Sequence, residues 1–284
     1  MNYVTGNTHF HMEGPCAVSL GKFDGVHRGH QKLLRHVLSG KDQGLAAVIF
    51  TFEKNPTRML SGLSGQNIVT NEERRRLLED AGVDHLLECP FVPEISLMEA
   101  KTFIKEILVE QLHAAFVAVG EDFRFGHQRR GDFRMLERMG KQYGFQVEVV
   151  EKEKSHNRDI SSTYVREALH EGNIPLANEL LGYRYFVSGE VLHGRQIGRT
   201  LGLPTTNLLP PPDKLLPPNG VYLTRTLLDE EEYYGITNIG YKPTVGGETH
   251  KGVETFLFGY EGDLYGRFLN VEFLEYERPE QKFN

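Results

Sequence analysis

The order in which apolar patterns follow one another is the strongest constraint on what this chain can fold into. In its first part, short continuous apolar runs alternate with segments of helical period. Ala17-Val18-Ser19-Leu20 precedes Leu33, Leu34, Val37 and Leu38, spaced as one face of a helix over 31–38, and 45–52 is a second buried-strand pattern. Thr70-Asn71-Glu72-Glu73 and Ser96-Leu97-Met98-Glu99 each match a capping box, which predicts helices over 74–80 and 100–111. Residues 115–119 and 146–150 are further strands, separated by a helix over 133–143. Buried runs joined by helical crossovers predict an α/β fold with a parallel sheet covered by helices.

Helices follow at 163–170, stopped by Gly172, and at 176–181, and then the texture changes. From Tyr185 the runs 186–192, 221–228, 233–239, 253–258 and 269–276 are short, β-rich and divided by Gly, Pro and Asn turns. That is the pattern of an all-β domain closed as a barrel. The expected organisation is one domain over 1–178 and a second over 183–284, each long enough to bury a core.

Composition removes some classes of function. Lys and Arg number 32 against 39 Asp and Glu, a net charge of −7, which opposes broad nucleic-acid binding because that needs clustered cations. A nucleotide substrate stays open, since a few local donors hold a triphosphate on an otherwise negative surface. Apolar runs such as Leu45-Ala46-Ala47-Val48-Ile49-Phe50 fall far short of the ~18–20 residues of a membrane span. Met1-Asn2-Tyr3-Val4-Thr5 has neither the basic patch nor the apolar stretch of a secretory leader. Cys16 and Cys89 lack near neighbours, so no disulfide framework or four-cysteine zinc site is expected and a reducing, cytoplasmic setting fits.

The chemistry concentrates where the first strand hands over to the first helix, in Gly21-Lys22-Phe23-Asp24-Gly25-Val26-His27-Arg28-Gly29-His30. A helix start presents unpaired N–H groups and a positive dipole, and glycines let a ligand approach the backbone, so the junction suits phosphate. His27 and His30, three apart, fall on one side of the first turn and can donate to phosphate oxygens. The same residues also read as surface histidines beside a turn, or as a metal pair with His9 and His11 that would need further ligands.

His27-x-Gly29-His30 after a strand resembles the nucleotidyltransferase signature, and the longer string resembles that of the bacterial bifunctional riboflavin kinase/FAD synthetases. Val119-Gly120-Glu121-Asp122-Phe123-Arg124-Phe125-Gly126 is similar to that family's flavin-side motif, and Ile160-Ser161-Ser162-Thr163-Tyr164-Val165-Arg166 to its second nucleotide motif. The resemblance implies that Gly21, Phe23, Asp24, His27, His30, Ser162, Thr163 and Arg166 bind ATP. It makes His27, His30 and Arg166 the catalytic cations, and Asn55, Asp122, Phe123 and Phe125 the flavin side. Asn55 stands where the family usually has histidine and cannot become cationic. Taken alone, Ser162 and Thr163 with Arg166 read more readily as a helix cap and a solvated arginine, and Phe123 with Phe125 as a core pair.

A second constellation, Gly194-Arg195-Gln196-Ile197-Gly198-Arg199-Thr200-Leu201-Gly202-Leu203-Pro204-Thr205-Thr206-Asn207, is glycine-punctuated and ends in oxygen donors suited to a hard cation. It lacks the Gly-Lys-Ser/Thr ending of a P-loop. With Asn219-Gly220-Val221-Tyr222, Asn238-Ile239-Gly240-Tyr241-Lys242-Pro243-Thr244 and Val253-Glu254-Thr255 it resembles the riboflavin kinase module of the same family. That resemblance implies ATP binding by Gly198, Arg199, Thr200, Gly202, Thr205 and Asn207, with Mg²⁺ on Thr205 and Asn207. It implies flavin binding by Gly194 and Arg278, and Glu254 as the base for the ribityl hydroxyl. Phe256 stands where many members have histidine.

The activities implied are phosphorylation of riboflavin by ATP in the β domain and adenylylation of FMN to FAD plus pyrophosphate in the N-terminal domain. Partners would be flavins and ATP, with no nucleic acid, no membrane and at most a weak homo-oligomer. Two rivals stay open on sequence: a nucleotidyltransferase for another phosphate ester whose β domain only grips substrate, and a flavin-binding protein without turnover.

Overall fold

A computed structural model of the 284-residue chain describes residues 1–54, 66–192, 205–243 and 249–281. It divides into two compact units, 1–65 with 71–160, and 66–70 with 161–284.

The first unit holds strands β1 (Asn2–Thr5), β2 (Cys16–Leu20), β3 (Ala46–Phe52), β4 (His85–Cys89) and β5 (Ala114–Gly120), a small hairpin of β6 (Arg124–Phe125) and β7 (Gly131–Asp132), then β8 (Gln146–Val150) and the hairpin β9 (Lys154–Ser155) with β10 (Arg158–Asp159). Six strands form one parallel sheet in the order β1-β4-β3-β2-β5-β8. Helices α1 (Arg28–Ser39), α2 (Asn71–Asp80) and α3 (Phe133–Tyr143) belong to this unit.

Every residue of β2 is buried, because apolar groups cover both faces of a central parallel strand. On one face Val18, Val48, Phe50, Leu87, Val117 and Val119 pack with Phe103, Ile104, Ile107 and Leu136. On the other, Ala17, Ala47 and Ala118 meet Val37 of α1, and Ile49 and Leu86 meet Leu34 and Leu78. Helices therefore flank both sides, as the α/β reading expected.

Successive crossovers leave β2 toward β3 and β4, and the next pair, β5 and β8, lies on the other side of β2. The order reverses between β2 and β5. In open α/β sheets the crevice at the carboxyl ends of strands flanking such a reversal is where ligands bind.

The predicted elements recur with boundaries moved by one to four residues, and 133–143 and 146–150 match to the residue. Differences have local causes. Glu99, without a side-chain bond, rather than Ser96, precedes the helix Ala100–Thr102; Ser96 ends a separate short helix, Pro93–Ser96. The chain then winds as a π-helix over Phe103–Gln111, and the Leu112 N–H donates five residues back, to the Ile107 carbonyl, at 2.9 Å. Cys16 and Cys89 are free and buried, and burial pushes each thiol up to about 12.

The second unit holds α4 (Ser162–His170), α5 (Ile174–Leu181) and the strands β11 (Phe186–Glu190), β12 (Thr205–Leu208), β13 (Gly220–Leu228), β14 (Glu231–Pro243), β15 (Thr249–Leu257) and β16 (Phe268–Arg278). The strands are antiparallel in the order β11-β16-β13-β14-β15-β12, and a bridge from Leu192 to Asn207 brings the two ends together into a nearly closed barrel. Tyr222, Val271 and Phe273 fill its core beside hydroxyls that satisfy one another: Thr237 Oγ1 lies 2.8 Å from both Thr224 Oγ1 and Thr255 Oγ1. Asn178 of α5 ties the helices to the barrel, accepting from the Tyr185 N–H at 2.6 Å and donating to the Phe273 carbonyl at 2.9 Å.

Gly126, which follows β6, has φ +71°, and a Cβ there would stand 2.6 Å from Ala100 Cα. Gly126→Ala combines left-handed strain with overpacking against backbone and is expected to cost about 2–4 kcal/mol. The measurement is urea unfolding followed in the α/β unit; a loss below about 0.5 kcal/mol, the surface-substitution range, contradicts the placement.

Candidate functional site

β2 ends at Leu20 and α1 begins at Arg28, so the loop 21–27 leaves the carboxyl end of the central strand beside the reversal. Two of its non-glycine residues, Phe23 (φ +48°) and Val26 (φ +37°), adopt left-handed backbone, which costs on the order of 1–3 kcal/mol each. Burial compensates: Phe23 is fully enclosed and Val26 nearly so, and the Val26 N–H donates to the Phe23 carbonyl at 3.3 Å. Gly21 permits this packing, since a Cβ would stand 3.1 Å from the Phe23 ring. Asp24 is also buried.

His27 is the cap of α1. Its Nδ1 accepts from the His30 N–H at 3.4 Å, and the two imidazoles stack with centroids 3.7 Å apart. The Phe23 ring lies 5.0 Å from that of His30. A Cβ on Gly29 would press on His27 at 3.2 Å. The His30 Nδ1 is buried without a hydrogen-bond partner, and burial, reinforced by neighbouring His27, holds its pKa well below the ordinary histidine value. An orphaned polar atom at a helix start is what an anion would complete.

On the other side of the reversal, β5 delivers Asp122 and Phe123. Phe123 is half-buried and stacks on Phe125 at 5.4 Å, whereas Phe125 itself is buried among Phe103 and the sheet core. Exposed Asp122 pairs with Lys152 at 3.0 Å, and Lys152 also reaches Asp159 at 3.4 Å. The hydrogen bond to Asp122, outweighing partial burial, raises the Lys152 pKa. Lys152 follows β8, the next strand along, and the same segment is held to α1 by Arg28 on Glu153 and by Lys32 Nζ on the Glu151 carbonyl, 2.9 Å. Sequence reasoning missed Lys152 because Glu151-Lys152-Glu153 reads as an ordinary solvated turn.

In the second unit, Ser161 caps α4 by accepting from the Tyr164 N–H at 3.3 Å. Ser162 and exposed Thr163 thus occupy the first turn, with half-buried Arg166 one turn further on.

The barrel aligns its candidates on one row of the ladder. Asn207 pairs with Glu254, Glu254 with Asn238, Asn238 with Val221, and Val221 with Arg278. Register partners point to the same face, so Asn207, Glu254 and Asn238 share the side opposite the buried threonines, and Arg278 meets Val221 across a bulge in β16. Thr205, two residues before Asn207, joins them, its Oγ1 donating to Glu254 Oε1 at 2.8 Å. Asn238 Nδ2 donates to Glu280 Oε1 at 3.0 Å. Asn55, Gly194, Gly198, Arg199, Thr200 and Gly202 lie outside the described residues. Among the described residues no group of three or more His, Cys, Asp or Glu is placed to hold a metal, so the pairing of His27 and His30 with His9 and His11 gains no support.

A parallel sheet with a histidine-bearing helix start at its reversal, followed by a six-stranded antiparallel barrel, defines a nucleotidyltransferase-type domain linked to a flavokinase-type domain. Comparisons with known proteins agree. A family model described as FAD synthetase matches residues 10–164, and one described as riboflavin kinase matches residues 181–284. The bifunctional riboflavin kinase/FMN adenylyltransferase of Escherichia coli (strain K12) is 38% identical over 271 residues, 94% of this chain and 86% of that protein. Its namesake in Haemophilus influenzae is 36% identical over 274 residues, 94% and 87%. The chain belongs to the bifunctional riboflavin kinase/FMN adenylyltransferase family.

A crystal structure from Streptococcus pneumoniae, described as a macrolide-efflux protein, superposes with a TM-score of 0.87 at 28% identity, covering 99% of this chain and 92% of that one. Among the described residues of this chain no helix is long and apolar enough to cross a membrane.

The lowered His30 pKa has a sign that can be tested. The folded state resists protonation, so its stability contribution is present above the unfolded histidine value of about 6.5 and is lost as pH falls below it. His30→Gln is expected to flatten this acid-side loss. Thermal midpoints of both proteins at several pH values between about 7.5 and 5.5 provide the check; parallel curves contradict it.

Proposed function

We infer that this chain makes FMN and then FAD: its barrel transfers the γ-phosphoryl group of ATP to riboflavin, and its α/β domain transfers the adenylyl group of ATP to FMN. The observation that carries this reading is the presence, in one chain and in the family order, of two separate motif constellations, 21–30 and 194–207, each inside its own family match. We assign adenylyl transfer to residues 1–178 and the kinase to residues 183–284, working in the cytoplasm.

In the kinase step the ribityl hydroxyl oxygen attacks the γ-phosphorus, ADP leaves, and the hydroxyl proton passes to Glu254. The Thr205 hydroxyl, donating to that carboxylate, orients it. Such transfer depends mainly on alignment and charge neutralisation, which a fixed carboxylate on a barrel strand supplies. The hydroxyl of Thr205 and the amide carbonyl of Asn207, on one face of β12, are hard oxygen donors of the kind Mg²⁺ takes while keeping waters and nucleotide oxygens, so they fit that ion. When bound, Mg²⁺ supplies neutralisation of the nucleotide phosphates. Gly198, Arg199, Thr200 and Gly202 are proposed for the rest of this nucleotide, and Gly194 and Arg278 for the flavin.

In the adenylyl step a phosphate oxygen of FMN attacks the α-phosphorus and pyrophosphate leaves, without a covalent enzyme intermediate. His27 and His30 are proposed to donate hydrogen bonds to the phosphates at the start of α1, where Gly21, Phe23 and Asp24 shape the approach. Arg166, with Ser162 and Thr163, is proposed to neutralise charge on the leaving pyrophosphate. Asn55, Asp122, Phe123 and Phe125 form the proposed flavin side, Phe123 offering a ring face and Phe125 supporting it from the core.

The test separates the two halves. His30→Ala is expected to cut FAD formation from FMN by at least ~100-fold, the range for loss of a preorganised charge-stabilising donor, while FMN formation from riboflavin persists. Glu254→Gln is expected to do the reverse when FMN is supplied. Time-resolved chromatography of the flavins reads both; equal damage to both activities by either variant sinks the two-site assignment. Riboflavin left untouched and no FAD from added FMN would instead favour the flavin-binding rival.

A further inference from the structure

The carbonyl of Lys22 marks the point where the chain leaves the sheet and enters the left-handed turn at Phe23, and two side chains from outside the motif hold it. Arg74 of α2 donates to it from Nη1 at 3.3 Å, and Thr51 near the end of β3 donates from Oγ1 at 3.2 Å. Arg74 is buried and also anchors at two other strand ends: its Nη2 donates to the Phe52 carbonyl at 3.3 Å and to Oε1 of fully buried Glu88 in β4. One guanidinium therefore joins β3, β4 and the loop of the first constellation.

The neighbouring Arg75 supplies an internal comparison. It pairs with the other oxygen of the same carboxylate, Glu88 Oε2, at 2.7 Å from its Nε, and stacks over Tyr3, so its recorded bonds serve the ion pair and not the loop. A planar guanidinium holds fixed, divergent donors on separate nitrogens and so reaches acceptors set apart from one another, whereas an ammonium offers its donors from a single point. The Lys22–Phe23 peptide is trans, so holding the Lys22 carbonyl inward turns the Phe23 N–H the opposite way and fixes the entry angle of the turn that carries His27 and His30.

We propose that Arg74 is a positioning residue for adenylyl transfer: through the Lys22 carbonyl, and together with Thr51, it sets the turn on which His27 and His30 stand. This rests on the assignment of adenylyl transfer to that loop. Arg74 itself acts only through the turn and touches neither nucleotide nor flavin. Its burial leaves Nε without a partner, a cost accepted so that the other nitrogens reach their three targets.

The full chain carries its own control, because the kinase reports on folding of the barrel in the same preparation. Arg74→Lys keeps a charge for Glu88 but loses the fork; Thr51→Val removes only the second donor and leaves the ion pair intact. For FAD formation from FMN and ATP, Arg74→Lys is expected to lower kcat ~10–100-fold, the scale of a misplacement of about 1 Å, with a smaller fall for Thr51→Val. KM for FMN and the rate of FMN formation should stay unchanged in both. Arg75→Gln should lower thermal stability yet leave kcat within about twofold, since its bonds do not reach the loop. Unchanged kcat in both Thr51→Val and Arg74→Lys overturns the proposal, as does a fall in Arg75→Gln equal to that in Arg74→Lys. If His30→Ala keeps its FAD formation, the site assignment fails instead.

Discussion

A parallel sheet whose central strands are covered on both faces cannot carry polar chemistry along those strands, and the rest of the N-terminal unit follows from this. Cys16–Leu20 is buried along its whole length and Ala46–Phe52 along its interior, so polar and charged residues are displaced to the loops at the strand ends. Because the strand order reverses between β2 and β5, those loops gather around one crevice: the histidine turn after β2, Asp122 and Phe123 after β5, and Lys152 after β8. Glu88 is the instructive exception. It lies within β4, fully buried, and is accommodated by two guanidiniums that meet its two oxygens.

The barrel handles the same problem differently. Each of its strands has one face in the core and one outside, so period-two alternation lets a single strand carry packing and chemistry together. Thr206 and Leu208 are buried while Thr205 and Asn207 face the other way, and Thr255 enters the buried hydroxyl chain while adjacent Glu254 turns outward. A one-residue slip in β12 would bury Asn207 and expose Leu208, so the register that seals the core also sets the Thr205–Glu254 contact.

These two arrangements explain which parts were legible in the sequence. Central strands and amphipathic helices declare themselves by composition and period, and β8 and α3 were located to the residue. β4 went unseen because Glu88 breaks its apolar run, β1 because as an edge strand it is mostly exposed, and β12 because Thr205-Thr206-Asn207 looks like a turn until Glu254 is set beside it. The Ser96 capping box fits the motif but not the helix start, since Ser96 closes the preceding short helix. Motif strings pointed to His27, His30 and Glu254 as candidates. They could not single out Arg74, Thr51 or Lys152, whose contacts to Lys22 and Asp122 span 29 to 52 residues of sequence.

The histidine pair gives the proposed nucleotide site a property that neither residue has alone. With imidazoles stacked 3.7 Å apart, charging both would cost about 4 kcal/mol at an effective dielectric near 20, more than most surface ion pairs return. Burial adds to that cost at His30, which is therefore held neutral while no anion adjoins it. A polyphosphate at the start of α1 reverses the balance, since each negative oxygen favours the imidazolium that the histidine neighbour opposes. In the proposed adenylyl step, the substrate's own phosphates would thus draw positive charge onto the pair. A permanently cationic pair of arginines at the same positions would bring a standing repulsion into a loop that already bears two left-handed non-glycine residues.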